Sequence, residues 1–220
     1  MVSELKRRGL WESTLIVVTA KHGQSSIDPH RFFPIPGHGG ANGSSPAEIL
    51  DAAGLLPESE SPSNPTGIGP TQDDISLIWL KDSSQTDNAV ALLEADAAKE
   101  GIGEIFAGAS LAQMFNSPGL PPDGDPRTPD IAVAPNAGVI YTGSTAKQEE
   151  HGGFGHDDTN VMILLSNPSL SAKTVTTPVE TIQVAPTILK ALQLDPSSLD
   201  AVRKEGTEVL PGINFHSRDR

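Results

Sequence analysis

The sequence contains no cysteine among its 220 residues, which excludes disulfides and any metal site built on thiolates. Basic residues are also few: 15 Lys and Arg against 28 Asp and Glu give a formal charge of −13. Because duplex nucleic acids and anionic lipid surfaces attract clustered positive charge, we expect neither as a partner. No apolar run approaches the roughly 18 residues of a membrane helix. Residues 1–9 hold no apolar signal core. The compartment therefore stays open, since an extracellular location needs a signal peptide in a longer parent chain.

The chain length and the order of its segments predict a single α/β domain over residues 1–220. Strand-like runs at residues 15–19, 74–80, 102–107 and 131–134 alternate with helix-like segments, a pattern typical of a mainly parallel sheet. The first residues resemble the end of a surface helix, so we expect the chain to be the later part of a larger catalytic domain.

Residues 25–70 are dominated by turn formers and are longer than an ordinary connection. We expect a loop-rich insertion or a lid that covers a site. Its one helical candidate is 46–54, with Ser45 as N-cap and Pro46 at the first helical position.

Two histidines stand beside glycines and next to apolar runs. His22 follows the run 15–19 and precedes Gly23, while His151 opens a Gly-Gly-Phe turn that leads into a second apolar run. Ligands of open α/β sheets bind at the carboxyl ends of the strands. We therefore expect His22 and His151 to face one cleft at the tips of neighbouring strands. Because imidazole is a good ligand for zinc-like cations, both are candidate metal ligands.

Several neighbours leave alternatives open. Lys21 can bind a phosphate oxygen as a point charge or pair with a carboxylate. His156 competes with His151, and spacing alone does not separate them. Asp157 and Asp158 can cap a turn or hold His151 in place. The plainer assignments are a lid contact or solvated loop for His38, surface positions for His30 and His216, and a local ion pair for Arg127 with Asp130.

These residues occur in an ordered set that resembles a known family, the type I phosphodiesterase/nucleotide pyrophosphatase branch of the alkaline phosphatase superfamily. The motifs are Thr-Ala-Lys-His-Gly-Gln-Ser (19–25), Arg-Thr-Pro-Asp (127–130), Glu-His-Gly-Gly-Phe (150–154) with Asp-Asp-Thr (157–159), and the helical 183–192. The resemblance implies an alkaline-phosphatase-like α/β fold, with a mainly parallel central sheet and helices on both faces, incomplete in this chain.

The resemblance also implies two divalent metals, usually zinc, and a Thr or Ser nucleophile. His22 matches a ligand of one metal and His151 a ligand of the other, whereas Lys21 stands where the family motif has a metal-binding Asp. The family's remaining parts include a metal-binding Asp, the nucleophile and an Asp-x-x-x-His pair, and we find no counterpart to them in the 220 residues.

The expected function is the carboxyl-terminal portion of a metal-dependent phosphoester hydrolase, inactive alone, whose parent acts on a small phosphate ester. The catalytic residue stays unknown. The rival expectation is a non-catalytic α/β binding or assembly module that retains the superfamily core. Unpaired sheet edges would favour self-association in either case.

Overall fold

The computed structural model describes residues 1–34, 43–58, 67–144 and 146–215. Within these ranges the chain forms short helices, a few 3₁₀ turns and short strands. The helices are α1 (Val2–Arg7), α2 (Pro46–Ala52), α3 (Thr86–Asp96), α4 (His156–Thr159), α5 (Val184–Ala191) and α6 (Asp200–Glu205). The strands are β1 (Ile16–Val18), β2 (Ser25–Ser26), β3 (Thr71–Gln72), β4 (Ser76–Ile78), β5 (Ile102–Ala107), β6 (Ile131–Pro135), β7 (Glu149–Glu150) and β8 (Leu164–Ser166).

The chain divides into two compact units. The first unit combines Met1–Lys21 with Val161–Arg220, and the second is His22–Asn160. The first unit contains the pair β1–β8, in which Ile16 lies opposite Ser166. No helix within the described ranges is both long and apolar enough to cross a membrane. We predicted that residues 1–220 form a single domain and belong to a larger catalytic domain. The division into two units does not test this, and it stays a prediction.

The second unit is built on a four-stranded sheet in the order β3–β4–β6–β5. Strand β6 is paired with β4 on one edge and β5 on the other. Ile131, Ala132 and Val133 are fully buried, and because successive side chains point to opposite faces, both faces of this strand are covered. A separate two-residue ladder joins β2 to β7. The core that covers the sheet is contributed by Phe33, Leu50, Leu55, Ile78, Leu80, Ala89, Leu93, Ile102, Ile131, Val133, Val139 and Tyr141.

The predicted mainly parallel sheet is not confirmed, because every pair of named strands is antiparallel. The prediction rested on strand-like apolar runs that alternate with helix-like segments, a pattern that does not fix the direction in which the strands pair. In the first unit, Val18 of β1 is 43 % exposed and Leu164 of β8 is 50 % exposed. An apolar run is therefore a weak guide to burial and to strand direction in this chain.

The segment 25–70 contributes to the core as well as to loops. Helix α2 lies where the Pro46 helix was predicted, and it begins with a capping box in which Ser45 Oγ accepts from the Glu48 amide. Leu50 on this helix is completely buried, and Phe33 is 4 % exposed. Since these side chains fill the core, the described part of the segment is structural, and its use as a lid stays a prediction.

Leu50→Ala tests whether this segment stabilises the second unit. Loss of a fully buried leucine leaves a cavity, so we expect the free energy of unfolding to fall by about 2–5 kcal/mol in urea denaturation of the whole chain. The matched control is Leu120→Ala, because Leu120 is 44 % exposed. Equal losses in the two variants would contradict a core role for α2.

Candidate functional site

His22 and His151 lie against each other in the second unit. Their ring centroids are 4.0 Å apart and the ring planes are inclined by 25°, so the two imidazoles stack. Nδ1 of His22 lies 2.8 Å from the carbonyl oxygen of Gly23, which can only accept, so this nitrogen is the donor. Both side chains are partly buried. The sequence prediction that these two histidines meet therefore agrees with the geometry.

The ladder between β2 and β7 explains why they meet. Ser25 lies opposite Glu150 and Ser26 opposite Glu149. His22 precedes Ser25 by three residues and His151 directly follows Glu150, so antiparallel pairing carries both histidines to the same end of the ladder. The expectation that the two histidines face one cleft at the tips of neighbouring strands stays a prediction, and it is the antiparallel pair β2–β7 that brings the rings together.

Asp158 on α4 connects the segment that contains His22 to the segment that contains His151. Its carbonyl oxygen accepts from the Gly23 amide at 2.6 Å, and its Oδ2 accepts from Ser25 Oγ at 2.6 Å. A Cβ on Gly23 would lie 1.8 Å from the Asp157 carbonyl oxygen, so only glycine allows this approach. Neither predicted role for Asp158 is observed: α4 has no side-chain cap, and Asp158 bonds Ser25 and not His151.

Phe154 anchors the glycine turn that follows His151. Its ring meets Phe106 edge-on with centroids 5.6 Å apart and lies 6.4 Å from the ring of Phe115. Aromatic pairs in these arrangements contribute about 0.5–1.5 kcal/mol beyond the area that they bury. The turn that carries His151 is thus held by ring packing on one side and by Asp158 on the other.

A second acidic side chain lies against Asp158. Asp74 is 6 % exposed and Asp158 is 4 % exposed. Burial, together with the neighbouring Asp158 carboxyl, raises the pKa of Asp74 to about 7. Gly153 lies next to both carboxyls, since a Cβ there would be 3.1 Å from Asp158 Oδ2 and 3.2 Å from Asp74 Cγ. The site therefore consists of a histidine pair and a buried carboxyl pair.

The other predicted residues do not join this cluster. Lys21 is exposed and is the last residue of the first unit's amino-terminal segment. The side chain of His156 is 80 % exposed, which favours His151 as the buried histidine of this turn. Arg127 pairs with Asp125 at 2.7 Å, so its predicted pairing with Asp130 is wrong; Asp130 Oδ2 instead accepts from the Leu80 amide. His30 is exposed, and His38 and His216 lie outside the described residues.

His22 and His151 do not complete a zinc site with other side chains of the described residues. Among them, no group of three or more His, Asp or Glu side chains is arranged to hold an ion. The lone pair of a ring nitrogen lies in the plane of its ring, so the lone pairs of two stacked imidazoles lie in separate planes 25° from parallel and do not converge on one ion. Catalytic zinc takes three protein ligands. His22 and His151 supply at most one ligand to each of two ions, which is too few.

Sequence reasoning missed Asp74 and Ser25. The only signal for Asp74 was an acidic residue at the start of an apolar strand run, and Ser25 was one of many turn formers. Their importance comes from contacts with Asp158, which follows Asp74 by 84 positions along the chain and Ser25 by 133. Contacts between positions so far apart in the sequence cannot be predicted from the spacing of nearby residues.

The fold is similar to that of two solved pyrophosphatase structures. Against human ectonucleotide pyrophosphatase/phosphodiesterase 5, the TM-score is 0.55 at 12 % identity, covering 88 % of this chain and 44 % of the other. Against the murine protein of the same name, the TM-score is 0.53 at 13 % identity, covering 89 % and 45 %. No family profile and no curated protein sequence matches the chain.

The resemblance inferred from the motifs is thus confirmed at the level of the fold, which is an alkaline-phosphatase-like α/β fold. At such low identity the likeness concerns the fold alone. The chain spans less than half the length of the two solved structures that it matches.

Asp74→Asn tests the electrostatics of the carboxyl pair. The pKa of Asp74 is about 7 in the folded chain, against about 3.9 when unfolded, so the folded state holds its proton more tightly. The resulting stabilisation of the wild type is lost as the pH rises from about 4 to about 7. We expect the stability advantage of Asp74→Asn to grow by about 1–3 kcal/mol between pH 5 and pH 8, measured by urea denaturation in EDTA.

The control for this experiment is Asp123→Asn, because Asp123 is exposed. Its difference from the wild type should be the same at both pH values. Parallel stability profiles for Asp74→Asn and the wild type would show that Asp74 titrates normally.

Proposed function

We propose that this chain is part of a metal-dependent phosphodiesterase or nucleotide pyrophosphatase-like hydrolase. In this proposal His22 and His151 each give one ligand to a different divalent metal, which the family resemblance makes zinc. The observation that carries it is the stacked pair of imidazoles, 4.0 Å apart, within a fold similar to two pyrophosphatase structures. The proposed substrate class is a small phosphate ester, with no nucleic-acid duplex and no membrane surface as partner.

The spacing of the rings supports two ions better than one. Enzymes that use paired metals hold them about 3.5–4 Å apart. Parallel imidazoles at 4.0 Å can each bind one ion of such a pair along its own ring plane. Since no group of three or more His, Asp or Glu side chains within the described ranges is arranged to hold an ion, the histidine pair would be half of a zinc site, and no catalytic step is assigned to it.

We expect this chain alone to have little or no turnover. The resemblance implies a Thr or Ser nucleophile and an Asp-x-x-x-His pair, and no counterpart occurs in the 220 residues. Without that nucleophile the chain could not form the covalent phospho-intermediate that the resemblance implies for the family. In the parent enzyme, Lys21 would replace a carboxylate ligand with an ammonium, which either binds a phosphate oxygen or pairs with a carboxylate.

A non-catalytic binding or assembly module is the second candidate. It is favoured by the lack of a complete ligand group among the described residues and by Lys21 at the position of an acidic ligand. The outer strands β3 and β5 of the four-stranded sheet would be the edges available for self-association. A metal-free chain that forms dimers in analytical ultracentrifugation would support this candidate.

Zinc binding tests the histidine pair. We expect weak zinc binding by isothermal titration calorimetry, lowered about tenfold or more by His22→Ala and by His151→Ala because each removes a ligand. His156→Ala is the matched control, since that side chain is exposed. Zinc affinity that is unchanged in both ligand variants would contradict the proposal.

The same samples test the expected lack of activity. Release of nitrophenol from a bis-aryl phosphodiester with added zinc should not exceed the rate without protein. Robust turnover that disappears in His22→Ala and His151→Ala would keep the hydrolase assignment and overturn the expected inactivity.

Lys21→Asp restores the acidic residue of the family motif immediately before His22. A carboxylate attracts zinc whereas an ammonium repels it, so we expect zinc affinity to rise by about tenfold or more in calorimetry. Lys81→Asp, at another exposed lysine, makes the same charge change away from the histidines. An equal effect of both substitutions would show that net charge alone is responsible.

A further inference from the structure

The carboxyl pair of Asp74 and Asp158 lacks a counter-charge. Three of its four oxygens, Asp74 Oδ1, Asp74 Oδ2 and Asp158 Oδ1, are buried and accept no hydrogen bond of ordinary geometry. The fourth, Asp158 Oδ2, accepts from Ser25 Oγ at 2.6 Å. The contacts that influence the pKa of Asp74 are with the Asp158 carboxyl and the Gly153 amide, and neither brings a positive charge. The Lys147 ammonium forms ion pairs with Asp73, at 3.5 Å, and with Glu150. Among the described residues, no basic side chain forms an ion pair with either carboxyl.

Such an arrangement is costly unless something neutralises it. Two carboxylates removed from water repel each other and lose their hydration, so they need a proton or a cation between them. Burial and the neighbouring Asp158 carboxyl also raise the pKa of Asp74, which reflects the same cost of placing two negative charges together away from water. The two oxygen-bearing groups are therefore already placed to attract a cation.

The space around the pair is kept free of side chains by glycine. Gly152 adopts φ +109°, and a Cβ there would lie 3.8 Å from Asp74 Oδ1. A Cβ on Gly153 would lie 2.8 Å from the Asp74 carbonyl oxygen, closer than packing allows. A Cβ on Gly155 would lie 3.4 Å from Asp158 Oδ2 and 3.7 Å from Ser25 Oγ. The turn therefore places the backbone of three glycines, which have no side chain, next to the two carboxyls.

We propose that Asp74, Asp158 and Ser25 bind a calcium-type divalent cation. The available ligands are carboxylate and hydroxyl oxygens, which hard cations prefer over the softer zinc. Calcium suits the site better than magnesium, because magnesium demands near-ideal octahedral geometry and retains several waters, whereas these oxygens are buried. The site does not use His22 or His151 and is independent of the proposed function.

A cation here would also brace the segments that hold the histidines. Asp74 lies just before β4, Ser25 begins β2, and Asp158 lies on α4. Because the carbonyl of Asp158 accepts from the Gly23 amide, a bound ion would tie β4 to the same residues that set the position of His22. The expected consequence is a more stable second unit in calcium.

Calorimetric titration of the whole, EDTA-treated chain with CaCl₂ at about pH 8 tests the proposal. We expect one ion per chain with a dissociation constant at or below about 1 mM, the range of weak protein calcium sites. Calcium should also raise the thermal unfolding midpoint. Asp74→Asn and Asp158→Asn should each weaken binding by about tenfold or more, and Ser25→Ala by a smaller factor.

Two controls separate this site from its neighbours. Asp73→Asn changes the adjacent carboxyl, which pairs with Lys147, and should leave calcium affinity unchanged. The double variant His22→Ala/His151→Ala should lose zinc binding and keep calcium binding, so failure of either proposal is visible by itself. Far-UV circular dichroism checks that each variant is folded.

Three results would overturn the proposal. The first is a wild-type chain that binds no calcium at about 10 mM, well above the range of weak sites, because the pair would then simply share a proton. The second is binding that survives both Asp→Asn substitutions. The third is equal weakening by Asp73→Asn, which would indicate a diffuse response to negative charge.

Discussion

The short antiparallel ladder between β2 and β7 is the constraint on which the candidate site depends. It has only two residue pairs, Ser25 with Glu150 and Ser26 with Glu149. So short a ladder is weak by itself, and Asp158 reinforces it through the Gly23 amide and the Ser25 hydroxyl. Together these contacts fix two histidines that are far apart in the sequence into one stack. Loss of the Asp158 contacts would release both rings without touching either.

This reinforcement has an electrostatic cost. Asp158 can hold Ser25 and Gly23 only from a buried position, and there it lies against the buried Asp74. Two buried carboxyls destabilise a fold unless a proton or an ion lies between them. The histidine pair and the carboxyl pair are thus linked through one residue, so the occupancy of the acidic site bears on the rigidity of the histidine site.

Local pattern was sufficient to predict elements whose signals lie within a few residues. The α2 helix has its Ser45 cap, its Pro46 start and a buried Leu50, and β5 occupies the predicted 102–107. The approach of His22 to His151 was expected at the tips of neighbouring strands, and in the structure the antiparallel pair β2–β7 brings the two rings together. Strand direction and the Asp74–Asp158 contact depend on distant partners, and no spacing rule within one sequence contains that information.

At Lys21 the sequence departs from the family motif, although the fold is similar to that of the pyrophosphatase structures. The backbone resembles the pyrophosphatase structures over 88–89 % of the chain, although identity is only 12–13 %. A scaffold survives such divergence because many apolar residues fill a core equally well. In the proposed metal site, by contrast, the ammonium of Lys21 in place of the carboxylate of the family motif would reverse the charge next to the ion. Under that proposal, the side chain that precedes His22 would bear more on metal binding than the similarity of the whole fold does.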